Sequence, residues 1–227
     1  DCYPATPIGI NLPNANWIRK DYGSKSVTID NITHAYNEAA KGNGFNEEFM
    51  ISPEVIAMYE KAGACGDLHT DLHECVGHGS GKLMPGVTKD ALKEHASTIE
   101  EARADLFGLY YLADPKLVEL GLLPNEEAFK AGYYQQMMNG AMTQLVRIEP
   151  GKDVEEAHMR NRQLIANWVL AHVTPENPEV EIIEKDGKHY LRVNDYQGLR
   201  RLYGELLAEI QRITSEGDYP AAKEMVE

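Results

Sequence analysis

Two histidines five residues apart, His73 and His78, constrain this chain more than any other feature of its sequence. They sit in a stretch from Asp67 to His78 whose pattern predicts a helix stopping at Gly79-Ser80-Gly81. A regular helix turns about 100° per residue, so positions five apart lie roughly 140° out of phase. For both imidazoles to reach one point, the turn must widen locally, as in a π-type bulge, or His78 must sit where the helix ends. Gly77 makes such distortion feasible, because glycine accepts conformations other residues resist. Glu74 follows His73 directly and can project beside a bound ion without ligating it. Two imidazoles and an adjacent carboxylate are parts of a catalytic zinc site, which keeps three protein ligands and an open position for water.

A second pair competes on spacing alone. His69 and His73 are four apart, with Asp71 between them, and share a helix face without distortion. That pair lacks a glutamate directly after its first histidine. Histidines on a solvated helix with no metal are a further alternative that spacing leaves open. A third ligand is expected as a carboxylate from another helix, and Glu100-Glu101 lies within a long helix predicted between Thr88 and Asp114. The two glutamates point about 100° apart, so one can face an ion while the other orients a ligating histidine. The following Ala102-Arg103-Ala104-Asp105-Leu106-Phe107-Gly108 is apolar enough to predict a buried helix. Buried carboxylates need a counter-charge, which a cation supplies.

Elsewhere the pattern is mainly α. Helices are expected from Asp30 to about Ala40, from Ser52-Pro53-Glu54 to near Gly63, and from Asn125 to Ile148. Another is expected over Asp153 to Val173, with Met159, Leu164, Ile165, Trp168 and Val169 at helical spacing. A last one follows Asp195 and carries Leu199, Leu202, Leu206 and Ile210. The clearest β signal is a hairpin, Val180 to Glu184 and His189 to Val193, around Asp186-Gly187. The opening through Asn14 reads as extended or looped. The expected fold is therefore a helical bundle with one small β-hairpin.

Hydrophobic residues make up 43% of the chain, enough for a core, and no apolar run approaches the roughly 20 residues that span a bilayer. With 22 basic and 36 acidic side chains the formal net charge is -14, which argues against a nucleic-acid or anionic-membrane surface as partner. Cys2, Cys65 and Cys75 are too few and scattered for a disulfide framework. The chain opens Asp1-Cys2-Tyr3-Pro4 with no initiator methionine and no leader pattern, so it reads as excised from something longer.

The motifs resemble those of the zinc metallopeptidases of the dipeptidyl peptidase III family. That family's HExxGH stands here as His73-Glu74-Cys75-Val76-Gly77-His78, and its EExRA(E/D) as Glu100-Glu101-Ala102-Arg103-Ala104-Asp105. Gly79-Ser80-Gly81-Lys82-Leu83 is similar to the family's HGSGKL continuation, and Gly9-Ile10-Asn11-Leu12-Pro13-Asn14 to its GINxPN segment. Glu156-Ala157-His158-Met159 with Arg162 resembles the helix that carries a catalytic histidine and a substrate-side arginine.

The resemblance implies one zinc ion per chain held by His73, His78 and Glu101, with Glu74 as general base and His158 supporting the oxyanion. It implies that Glu100 orients a ligand, that Asn11, Asn14 and Arg162 bind substrate, and that His69 stands outside the ligand set. The implied substrate is an oligopeptide cleaved near its amino terminus. The implied partner is the second lobe of a two-lobed enzyme, with residues 1–227 as a single helical catalytic domain. Two other classes stay in view: a non-catalytic helical module closed around zinc by Cys75 or His69, and a metallohydrolase acting on a non-peptide substrate.

Overall fold

The computed structural model describes residues 9–12, 16–61, 65–154 and 156–227. Cys2, Asn14 and Gly63 lie outside them, and of Asn11 the backbone alone is described.

The chain is mainly helical, as its patterning predicts. The first part carries β1 (Gly9–Leu12), α1 (Asn16–Tyr22), β2 (Lys25–Thr28), α2 (Asp30–Ala40), α3 (Phe45–Phe49) and α4 (Pro53–Lys61). Then come α5 (Cys65–Leu72), a π-helical turn (His73–Gly77), a 3-10 segment (Lys89–His95), α6 (Ala96–Leu112) and α7 (Pro115–Glu119). The remainder is α8 (Phe129–Ala141), a 3-10 turn (Thr143–Arg147), α9 (Ala157–Ala171), β3 (Val180–Lys185), β4 (Lys188–Val193), α10 (Tyr196–Glu216) and α11 (Tyr219–Val226).

Helix α6 is the hub. Ile99, Ala102, Leu106, Leu109 and Leu112 have no exposed surface, and α5, the π turn, α9 and α10 pack around it. Its sequence is apolar on several faces because it is covered on several faces. Helix α10 instead shows one apolar stripe, with Leu199, Leu202, Leu206 and Ile210 fully buried. Its start is set by Asp195, whose side chain accepts the Gln197 N–H. Truncating Leu202 to Ala would open a cavity costing about 2–5 kcal/mol.

The hairpin forms where the sequence places it, with Val180 opposite Val193 and Lys185 opposite Lys188. Asp186 and Gly187 both take positive φ (54° and 74°), the two left-handed positions that a tight hairpin turn demands. The Tyr134 hydroxyl donates to the Leu191 carbonyl at 3.2 Å, tying the hairpin to α8.

Three features depart from the sequence reading. A second antiparallel pair is present, β1 with β2, where only an extended or looped opening was expected. Strand β1 packs beside the π turn. The expected helix from Thr88 to Asp114 is broken: Lys93 takes φ 49° and ψ -128°, so a 3-10 segment precedes α6. Tertiary contacts override local propensity there, with the Lys93 ammonium 4.2 Å from the centre of the Tyr219 ring on α11. Likewise the expected helix to Ile148 ends at Ala141 and continues as a 3-10 turn. Among the described residues, no helix is long and apolar enough to cross a membrane.

Candidate metal centre

The local backbone solves the spacing problem of His73 and His78. The His78 N–H donates to the His73 carbonyl at 2.9 Å, an i to i+5 bond that widens the turn. Five residues then complete roughly one turn, and the rings converge with centroids 4.7 Å apart and planes at 88°. Gly77 matters here for closeness more than for unusual dihedrals, since its φ is not positive. A Cβ at Gly77 would lie 2.6 Å from the Cα of Ala104, so the π turn presses directly on α6.

Helix α6 supplies the carboxylates. Glu101 Oε2 lies 3.4 Å from His73 Nε2, and Glu101 Oε1 lies 3.8 Å from His78 Nε2. Among the described residues, His73, His78 and Glu101 form the group whose ligand atoms all lie within 4.8 Å of one another. Neither His69 nor Cys75 belongs to that group. Tetrahedral zinc with bonds of about 2.0–2.1 Å sets its ligand atoms roughly 3.3 Å apart, close to the His73–Glu101 separation. Glu101 Oε2 is buried and accepts no hydrogen bond, a cost that a cation would remove. These residues fit a divalent metal of zinc type.

Each imidazole is held from behind, which turns its Nε2 toward Glu101. His73 Nδ1 lies 2.8 Å from Asp105 Oδ1, and His78 Nδ1 lies 2.9 Å from Glu100 Oε1. Glu100 is gripped in turn by Arg103, whose Nε and Nη2 donate to its two oxygens at 3.0 and 2.8 Å. Burial would raise the Glu100 pKa, but His78 and Arg103 outweigh it and bring it down to about 2. Asp105 is likewise held below the usual carboxylate range against its burial, by His73 first. For His73, burial opposes charge, yet Asp105 and Glu101 raise its pKa to about 10. The carboxylates around His73 thus make a local field that favours positive charge on that imidazole.

Glu74 occupies the second position of the π turn and is buried, next to His73. His158, at the start of α9, brings its Nε2 to 3.3 Å from Glu101 Oε2, and its ring is half-exposed. Glu156 caps that helix, accepting the His158 and Met159 N–H groups, and also contacts His158 Nδ1. Arg162 lies one turn on, and its charge acts on Asp105 and His69. Asn11 lies in β1, beside the π turn, and Asn14 falls outside the described residues.

Two residues of the site carry geometry that the motif reading did not assign them. Asp105 orients His73, and Arg103, 3% exposed, holds Glu100. Their signal was the i+4 spacing of Asp105 from Glu101 and the i+3 spacing of Arg103 from Glu100, both on one helix.

The profile of Peptidase family M49 matches residues 2–93 and 85–227. The chain belongs to that family. It is similar to dipeptidyl peptidase 3 of Mus musculus, 26% identical over 263 residues, covering 97% of this chain and 35% of the mouse protein. Against dipeptidyl peptidase 3 of Homo sapiens the identity is again 26%, covering 97% of this chain and 35% of the human one. Among solved structures it is similar to DPP III from Caldithrix abyssi, with TM-score 0.68 and 26% identity over 97% of this chain and 39% of that one. Dipeptidyl-peptidase III from a Corallococcus strain shares the fold, at TM-score 0.65 and 22% identity. The chain spans about a third of the length of the curated M49 relatives it matches.

Proposed function

We propose that this chain carries the catalytic zinc centre of an M49 peptidase that hydrolyses oligopeptides near their amino terminus, as a dipeptidyl peptidase. The observation that supports it is the convergence of His73 Nε2, His78 Nε2 and the Glu101 carboxylate, with Glu74 directly beside His73. His73, His78 and Glu101 would hold one ion per chain. Zinc, when bound, supplies a Lewis acid that acidifies water and polarises a carbonyl.

Everything else falls to the chain's own side chains. Glu74 accepts a proton from the attacking water and returns it to the departing amine. His158 donates toward the developing oxyanion from the edge of the cluster, a role supported by its Nε2 lying 3.3 Å from Glu101 Oε2. Glu100 and Asp105 keep the two imidazoles aimed. Asn11, Asn14 and Arg162 bind the peptide, and β1 lies beside the π turn where such contacts would be made. Residues 1–227 act as one helical catalytic domain. Because the relatives are about three times longer, a second lobe forms the other wall of the substrate cleft in this reading.

Elemental analysis of the purified protein, paired with hydrolysis of short peptides bearing free or blocked amino termini, tests the proposal. One zinc per chain and dipeptide release from free amino termini alone are expected. Absence of stoichiometric metal would overturn the centre, and equal cleavage of blocked peptides would overturn the dipeptidyl assignment.

A further inference from the structure

We infer that His69 is a positioning residue for the metal centre: it anchors Asp105, whose carboxylate in turn aims His73. The inference rests on the proposed reading of His73 as a ligand.

His69 lies four residues before His73, so the two rings issue from the same face of α5 and its continuation. His69 Nε2 lies 3.2 Å from the Asp105 backbone carbonyl and 3.7 Å from Asp105 Oδ1. That same Oδ1 lies 2.8 Å from His73 Nδ1. One carboxylate oxygen is therefore approached by two imidazoles from consecutive turns.

The fit around His69 is tight. A Cβ at Gly108 would lie 2.6 Å from His69 Cδ2 and 3.0 Å from its Nε2, so α6 carries a glycine where the ring seats. From α9, the Arg162 charge also acts on both His69 and Asp105.

The chemistry follows from a single proton. With its N–H on Nε2, the His69 ring donates to the Asp105 backbone carbonyl at 3.2 Å, and its edge packs against Asp105 Oδ1 at 3.7 Å, beyond hydrogen-bond distance. With the Asp105 backbone anchored and the ring packed beside Oδ1, the carboxylate keeps its place on His73 Nδ1, and His73 Nε2 stays aimed at Glu101. A space-filling histidine would do none of this, and a leucine of similar bulk would replace it.

The test is a comparison of zinc affinity, by competition with a chromogenic chelator, and of the visible spectrum of the cobalt-substituted protein. His69→Leu should weaken zinc about tenfold, the low end for a partner outside the ligand set, and should alter the cobalt bands. His69→Gln, whose amide nitrogen can stand where Nε2 stood, should recover most of the affinity. In an Asp105→Ala background His69→Leu should add nothing, because the route runs through that carboxylate. Wild-type affinity and spectrum in His69→Leu, at unchanged helical circular dichroism, would overturn the inference. So would independent, multiplying losses from the two substitutions. Should His69→Leu fail to fold, His69→Asn, polar but too short to reach Asp105, carries the same comparison against His69→Gln. A wild-type chain without zinc, or His73→Ala that keeps it, would instead sink the ligand assignment beneath both.

Discussion

His78 Nδ1 meets Glu100 Oε1 at 2.9 Å, and the same carboxylate is clasped by the buried guanidinium of Arg103. One glutamate therefore serves two masters: it aims an imidazole and neutralises a cation inside the fold. Replacing Glu100 by Ala should lower zinc affinity about 10–100-fold by freeing the His78 ring. It should also lower stability by about 1–3 kcal/mol, because buried Arg103 donors lose their acceptor. Chelator competition and urea unfolding read the two effects separately. Intact zinc affinity would show that Glu100 serves Arg103 alone.

Glu74 lies beside the cluster but outside its ligand atoms. Glu74→Ala should keep one zinc per chain while peptide hydrolysis falls about 10²-fold or more, the usual cost of losing a general base. Loss of metal in that variant would make Glu74 a ligand and contradict the assigned role.

Gly77 is held to its size by Ala104. Gly77→Ala would drive a methyl to 2.6 Å from the Ala104 Cα, so the π turn or α6 must shift. A stability loss of about 1–3 kcal/mol, together with weaker zinc binding, is expected in denaturant and metal titrations. Ala104→Gly should not rescue it fully, because the Cα itself is the obstacle. Complete rescue would mean that the Ala104 methyl was the whole contact.

Glu179 gives the fold an acid-sensitive clasp between the α9–β3 connection and α10. Burial alone would raise its pKa, but the Thr174 N–H, the Thr174 hydroxyl and Arg201 outweigh burial and lower it from the ordinary 4.5. A depressed folded pKa means that the ionised clasp stabilises the fold above about pH 4.5 and loses that contribution as pH falls through the folded value. Melting temperatures from pH 7 down to pH 3 should show Glu179→Gln below wild type at neutrality, with the gap closing in acid. A gap that is constant with pH would sink this.

Much of this protein was legible from residues alone. Helix periodicity and caps are local, so Asp195 opening α10 and Asp186-Gly187 turning the hairpin could be read directly. The five-residue histidine spacing likewise required either a widened turn or a helix end at His78, and the His78 to His73 bond supplies the widened turn.

Tertiary packing decided the rest. Spacing could not choose between Glu100 and Glu101, because that choice depends on how α6 is rotated about its own axis. The rotation is set by long-range contacts, Gly77 against Ala104 and Gly108 against His69. The same contacts turn Asp105 and Arg103 into supports for the imidazoles, and the packing of α11 breaks the predicted long helix at Lys93. Backbone preferences act within a turn or two, whereas the aim of a side chain across helices is an outcome of how their surfaces fit.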